Sequence, residues 1–377
     1  MIPRIQNKRI LSRLHKGKAV ILLGPRQVGK TTLLRQIAGT LNDVLWMNAD
    51  TLEIQNLWDT TSKSRLAAMI GKHETIIIDE AQNIPKIGAK LKIFIDEFKA
   101  VQVIATGSSA FELADVLSEP LTDRKHVLRL FPVSFEEMAR HQGLIEEISA
   151  MESRLIYGSY PDILMHPGEK VELLKELVNS YLYRDVLIYG NVKKPHKLVQ
   201  LLQALAFQVG SEVSYTSLGN MLKMDNETIE RYMDLLEKSF VIYRLGALCH
   251  NLRNEIKKGK KVYFYDNGIR NALINQFNPL NLRNDLGALW ENYLMSERMK
   301  YLEYHGIYAN RYFWRTHTKQ EVDYIEEING KMHAYEFKWS STKKVSLPKN
   351  FLAAYPGSSF NVITPKNIED FLMPGML

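Results

Sequence analysis

Short apolar runs alternate with helical patterns through the first 135 residues of the chain. The runs are "AVILLG" (19–24), "VLWMN" (44–48), "TIIIDE" (75–80), "VQVIATG" (101–107) and "HVLRLF" (126–131). Strands that are apolar on both faces and alternate with helices predict a parallel sheet covered on both sides. "FPVSFEEM" ends that pattern, and residues 136–190 read as helices broken by "YGSYPD" at 157–162. Next, "HKLVQLLQALAFQVG", "YTSLGNMLKM" and "DNETIERYMDLLEKSF" read as three helices, with Asn226 as the cap of the third. Strand-like "VIYRLGAL" and "KVYFYD" follow, separated by the basic stretch "RNEIKKGKK". Three helices and a two-stranded wing predict a winged helix. Beyond Asp266 come a long helix, "LGALWENYLMSERMKYLEYHG", the strand "RYFWRT" and a hairpin, "EVDYIEEINGKMHAYEFKW" (321–339).

The hairpin carries a puzzle. Asn329-Gly330 suits a two-residue turn in which both central residues need positive φ. Closing there sets Tyr324 opposite Tyr335, Val322 opposite Phe337 and Asp323 opposite Glu336. The last pair places like charges face to face, which destabilises a sheet unless a cation sits between them. Alternation along the strand puts Lys338 on the same face as Glu336. Asp323 and Glu336 are therefore candidate Mg²⁺ ligands, and Lys338 is the candidate group acting on water. The alternative is a solvated acid–base face with Lys338 pairing Glu336 and Glu321.

Bulk composition narrows the class. A chain of 377 residues implies two to four domains, and 45% hydrophobic with 24% charged residues is ordinary for a globular protein. The net charge of +7 is a mild basic bias, compatible with DNA, RNA or another polyanion and also with many enzymes. Cys249 is the only cysteine, so no intrachain disulfide forms and a reducing compartment is expected. No run approaches 18 apolar residues, so no membrane span is expected and the protein reads as cytoplasmic.

The strongest chemical signal is "GPRQVGKTT", residues 24–32, between a strand and a helix. Its spacing, G-x-x-x-x-G-K-[ST], cradles a nucleotide's phosphates. Gly24, Pro25, Arg26, Gln27, Val28, Gly29, Lys30, Thr31 and Thr32 form the expected loop for ATP. Backbone N–H groups and the helix N-terminus face phosphate oxygens, Lys30 reaches the β/γ-phosphates, and Thr31 ligates Mg²⁺. "TIIIDE" delivers Asp79 as the second Mg²⁺ residue and Glu80 as the group that polarises the attacking water. Ser108 or Ser109 is a candidate γ-phosphate sensor, or else a helix cap. Arg124, Arg129 and Arg184 are candidates for a finger reaching a neighbour's phosphate in a homo-oligomer, with surface salt bridges as the alternative.

These motifs, with "IIIDEAQ", "ATGSSAFEL", "DRKHVLRLFPVSFEE", "YGSYPDIL" and "YLYRDV", resemble the prokaryotic AAA-type ATPases that carry a C-terminal domain of unknown function. The resemblance continues through "YFYDNGIRNAL", "GALWENYL", "YFWRT", "EVDYI" and "YEFKWS". It implies an α/β P-loop NTPase sheet at 1–140, a helical segment at 141–195, a winged helix at 196–265, and a restriction-endonuclease-like α/β domain at 266–377. It also implies that Glu291, in "LWENYL", adds an acidic group to the Asp323, Glu336 and Lys338 set. "DR" stands where many members have Gly-Arg before "PVSF", a departure that bears on Arg124; "GSYP" replaces Gly-Gly-Tyr-Pro. A helicase reading of "DEAQ" lacks a second nucleotide-binding lobe, and a small-molecule kinase would leave Glu80 and two domains unexplained. In the winged helix, outward Glu227, Glu230, Arg231 and Asp234 suit phosphate poorly. Arg253, Lys257, Lys258, Lys260 and Lys261 of the wing suit it better. Two functions follow: an ATP-dependent nuclease, or a nucleotide-switched module that binds nucleic acid or protein without cutting.

Overall fold

The computed structural model describes residues 1–59, 62–107, 121–181, 192, 194–248, 259–316, 318, 320–340 and 345–375. Two compact units emerge. One contains Met1–Val133 and Lys238–Phe240; the other contains Ser134–Ser180, Val192–Glu237 and Val241–Leu377.

In the first unit, β1 (Ala19–Leu23), β2 (Val44–Asn48), β3 (Thr75–Asp79), β4 (Gln102–Gly107) and β5 (Lys125–Arg129) form a five-stranded sheet. The order is β2-β3-β4-β1-β5, and every pairing is parallel. β1, β3 and β4 are wholly buried, as their unbroken apolar runs require. The edge strands β2 and β5 are partly exposed. β2, which separates the two phosphate motifs in sequence, lies at the edge; β4 separates them in space.

The second unit holds one seven-stranded sheet. Its strands are β6 (Glu212–Val213), β7 (Ile242–Ala247), β8 (Lys260–Phe264), β9 (Asn310–Arg315), β10 (Glu321–Ile328), β11 (Lys331–Phe337) and β12 (Ser359–Ile363). They lie in the order β12-β11-β10-β9-β7-β8-β6. The helices Pro195–Phe207, Tyr215–Leu222 and Asn226–Lys238 precede β7 as the periodicity predicts. Asp225 caps the third through the Thr228 N–H at 2.7 Å, one residue before the expected Asn226. The segments 196–265 and 266–377 do not own separate sheets, because β7 pairs in parallel with β9 and joins the two halves.

Asn329 and Gly330 have φ of 51° and 75°, and the hairpin closes there with Tyr324 opposite Tyr335. The expected Val322–Phe337 pairing across one face fails. Between Val322 and Ile325, β10 advances three residues while β9 advances two, so a bulge inserts one extra residue. Val322 consequently packs with Ile325, Ala334 and Phe351. Tyr324, Tyr335 and Phe337 instead gather around Phe371 on the other face.

The long helix Leu286–His305 is buried along most of its length, polar residues included. Each buried polar group named here has a partner, as burial demands. Asn292 bonds the Phe264 backbone, and Glu297 holds Lys300 and the Phe135 N–H. Arg298 grips fully buried Glu326 with two bonds of 2.7 and 2.8 Å. Asp266 accepts from the Ser159 N–H at 2.7 Å, which ties "YGSYPD" to "YFYDNG".

Candidate functional site

The loop from Gly24 to Thr32 joins β1 to the helix Lys30–Ala38. Two positions in it need glycine. A Cβ on Gly24 would lie 2.0 Å from the Leu130 carbonyl oxygen, and Gly29 starts the helix at φ 91°. Gln27 also has positive φ and is exposed, Arg26 is half-buried, and Pro25 and Val28 are buried. Lys30 is buried, and its ammonium donates to the carbonyls of Gly24 and Pro25, both at 2.9 Å. Thr32 is exposed on the first helical turn. Arg4 braces the loop from outside, donating to Val28 O at 2.7 Å and Phe131 O at 2.6 Å. Sequence reasoning missed it.

Asp79, buried at the end of β3, sits between two hydroxyls. Thr31 Oγ1 donates to Asp79 Oδ2 at 2.8 Å and Thr106 Oγ1 donates to Oδ1 at 2.6 Å. The same Thr106 oxygen accepts from the Glu80 N–H at 2.9 Å. Glu80 is held in the left-handed region, φ 53°, and its carboxylate accepts from the Gln82 amide. A non-glycine residue in that conformation stores strain and is common where a side chain must be aimed. Thr106 thus links Asp79 to the Glu80 backbone, a contact signalled in the sequence by no more than one hydroxyl in the apolar run "VQVIATG". Ser108, Ser109 and Arg184 lie outside the described residues. Arg124 is engaged by Asp96 at 2.6 Å, its surface-pair alternative, while Arg129 is exposed on β5.

In the second unit the acidic residues surround a lysine. Lys261, 3% exposed, reaches Glu291 Oε1 at 3.1 Å and Glu321 Oε1 at 2.7 Å. It cannot serve as the phosphate-facing wing residue expected of it, because β8 runs inside the sheet between β7 and β6. Arg253, Lys257 and Lys258 lie outside the described residues, and Lys260 is half-buried at the start of β8. Tyr263 donates its hydroxyl to Glu291 Oε1 at 2.6 Å. Asp323 Oδ2 accepts from the Phe337 N–H at 2.9 Å, and Lys338 bonds Glu336 Oε1 at 2.7 Å.

Burial pushes the Glu291 carboxyl up to about 7; Lys261 and Tyr263 oppose the rise and Asp323 adds to it. Burial also raises Asp323 and Glu336, with Asp323 adding to the rise at Glu336. For Lys261 burial acts in the opposite direction, but Glu291, Glu321 and Asp323 outweigh it and hold the ammonium charged. Glu291, Asp323, Glu336 and Lys338 thus share one region, with Lys261 as a cation already in it. Among the described residues, no group of three or more His, Cys, Asp or Glu side chains is arranged to hold a metal ion.

Residues 16–139 match the family model of an AAA domain. An AAA-type P-loop ATPase domain is thus joined in one chain to a C-terminal domain of unknown function. Residues 286–370 match a Domain of unknown function (DUF4143), and residues 148–280 match another (DUF8612). The chain is 26% identical to an uncharacterized Mycobacterium tuberculosis protein over 344 residues, covering 90% of this chain and 74% of that one. An uncharacterized Methanocaldococcus jannaschii protein is 22% identical over 345 residues, covering 85% and 75%. Among solved structures it is similar to a Walker-type ATPase of Pyrococcus abyssi. That match has 17% identity and a TM-score of 0.48, covering 73% of this chain and 96% of the other. No described helix is long and apolar enough to cross a membrane.

Proposed function

We propose that the chain hydrolyses ATP with Mg²⁺ and uses the nucleotide to switch a second unit that binds nucleic acid without cutting it. The observation that supports the first half is the Thr31–Asp79–Thr106–Glu80 chain of hydrogen bonds, which brings a hydroxyl, a carboxylate and a candidate base together at the end of β3. Thr31 and Asp79 offer hydroxyl and carboxylate oxygens, the hard donors Mg²⁺ prefers, so the residues fit the ion. When bound, Mg²⁺ neutralises charge on the β- and γ-phosphates. Lys30 turns its ammonium toward the same phosphates from its seat on the loop carbonyls. Glu80, aimed by its backbone bond to Thr106 and its side-chain bond to Gln82, accepts a proton from the attacking water.

The second half rests on Lys261. A lysine that already neutralises Glu291 and Glu321 removes much of the pull on a divalent cation, which favours binding over cleavage. The three helices before β7 supply a winged-helix-like module, whose exposed Glu227, Glu230 and Asp234 suit a packing role for the third helix. A nuclease is the second reading. It is favoured by Asp323 and Glu336, two carboxyls in the same region as Lys338 and Lys261, whose pKa values burial raises most, with like charge adding to the rise.

Two assays separate these statements. Lys30→Ala should lose tight binding of a fluorescent ATP analogue, whereas Glu80→Gln should bind it and turn over roughly 10²–10⁴-fold more slowly. Unimpaired binding by Lys30→Ala would overturn the nucleotide site. Plasmid and oligonucleotides incubated with Mg²⁺ or Mn²⁺, with and without ATP, should stay intact. Nicking that disappears in Lys338→Ala would replace the binding module with the nuclease.

A further inference from the structure

The first 42 residues contain nine Lys and Arg and no Asp or Glu. Arg26 and Lys30 belong to the phosphate loop; most of the others lie before β1. Lys8, Arg13 and Lys16 are exposed and Lys18 is half-buried. Among the described residues, no acidic side chain forms an ion pair with these four. The strand beside them adds more charge. Ala19 stands opposite Lys125 in the sheet and donates its N–H to Arg124 O at 2.9 Å, so Lys18 meets the start of β5. Gln6 donates to the Arg129 carbonyl at 2.6 Å, which lays the helix Gln6–Leu11 along that edge strand.

These cations are not on a loose tail. The His15 N–H donates to Gln102 Oε1 at 2.6 Å, and Gln102 Nε2 donates to the Lys18 carbonyl at 3.0 Å. The fully buried β4 thus pins the connection that carries Lys16 and Lys18. Burial, followed by Arg13, Lys18 and Lys16, holds the pKa of His126 down, as expected where like charges crowd one strand. Exposed Glu74 lies at the same end of the sheet, its carbonyl accepting from the Gln102 N–H at 2.8 Å. Asp96 is taken by Arg124, and Asp123 is exposed in the turn before β5.

We infer that this face, at the end of the first sheet away from the phosphate loop, is a docking surface for the phosphate backbone of a nucleic acid. The length of five-residue β1, about 17 Å, separates Lys18 from the ATP site, whereas Lys8 sits on the helix that starts beside Arg129, nearer the phosphate loop. Fixed cations with no acidic partner release counterions when they meet phosphates, and that release drives sequence-independent binding. A lipid surface fits less well, because Ile2, Ile10 and Leu14 are buried and only Met1 and Leu11 of the large apolar side chains in this segment are exposed, too few for a stripe to insert. The inference shares with the proposed function the expectation of a nucleic-acid partner, but it assigns the contact to the ATPase unit.

The test uses the full chain and a fluorescent 30-mer, single-stranded and duplex, titrated between 50 and 200 mM salt. Arg13→Glu/Lys16→Glu/Lys18→Glu should weaken duplex binding at least tenfold. It should also flatten the slope of log affinity against log salt by about 2–3, near 0.9 for each phosphate that is no longer neutralised. Binding of a fluorescent ATP analogue should be unchanged, which also certifies the fold. If the triple variant fails that check, Lys8→Gln, Arg13→Gln and Lys16→Gln are measured singly, each expected to flatten the slope by about 1. An unchanged slope with wild-type affinity would return the face to solvent and leave nucleic-acid binding to the second unit. No binding by the parent protein would overturn both proposals. Tighter salt-sensitive binding to phosphatidylserine vesicles than to the 30-mer would assign the surface to a membrane instead.

Discussion

Asp79 on β3 and Glu291 beside β8 are both carboxylates drawn out of water, yet their neighbours treat the charge differently. Asp79 receives two hydroxyl bonds, from Thr31 and Thr106. Glu291 receives a tyrosine hydroxyl and a lysine ammonium. Hydroxyls orient a carboxylate without cancelling its charge, so the first site keeps its attraction for a divalent ion. An ammonium at 3.1 Å cancels it. The second cluster is therefore built as an internally balanced network, with its remaining excess on Asp323 and Glu336.

The balance is upset most readily at Lys261. Lys261→Met should leave Glu291, Glu321 and Asp323 with too little positive charge and lower stability by about 3–5 kcal/mol. Urea denaturation measures this, and adding Glu291→Gln to the same chain should restore part of the loss. A loss under about 1 kcal/mol would mean that the acids were never balanced by the lysine.

The pH dependence of Glu291 probes the same point. Its pKa rises from 4.5 to about 7 on folding, so between those values the native state binds more protons than the unfolded chain. Stability from this group is present below about pH 4.5 and lost as pH climbs toward 7, a change of about 3 kcal/mol. Glu291→Gln should therefore be less sensitive than the parent across that window. Parallel stability–pH curves for the two proteins would contradict the assignment.

The smallest effect is expected at the hydroxyl site. Thr106→Val removes one bond to Asp79 and the acceptor for the Glu80 N–H, each without adding or removing charge. Loss of a hydrogen bond to a charged group amounts to about 1.5–3 kcal/mol, hence a roughly ten- to hundredfold slower ATP turnover. Affinity for ATP should hold, since Lys30 and the loop are untouched. Steady-state kinetics that show raised KM with unchanged kcat would place Thr106 in binding rather than in aiming Glu80.

Much of this molecule was legible in the sequence. The phosphate loop is a local object: Gly24, Gly29, Lys30 and Thr31 lie within eight residues, and the demand for backbone N–H groups facing inward is written in the glycines. The five apolar runs located the five strands, and the three inner, wholly buried ones carry no charged residue before their C-terminal ends, because a parallel strand covered on both faces has nowhere to put a charge. Asn329-Gly330 set the turn and the Tyr324–Tyr335 register for the same local reason, since only a few residues accept positive φ in succession.

Tertiary structure alone decided where the bulge falls, which hydroxyl meets Asp79, and which cation meets Glu291 and Glu321. The extra residue between Val322 and Ile325 reflects how β10 fits β9, a partner reached across a strand boundary. Thr106 is distant in sequence from Asp79 and becomes its partner because β4 lies beside β3. Lys261 read as one more lysine in a basic stretch; a basic residue in a run of them looks exposed by every local rule. Only the merging of β8 into one seven-stranded sheet buried it against Glu291 and Glu321. Sequence determines what neighbours in the chain require of the backbone. Which charges meet is settled by strand order, because residues far apart in the chain become neighbours only when the sheet is assembled.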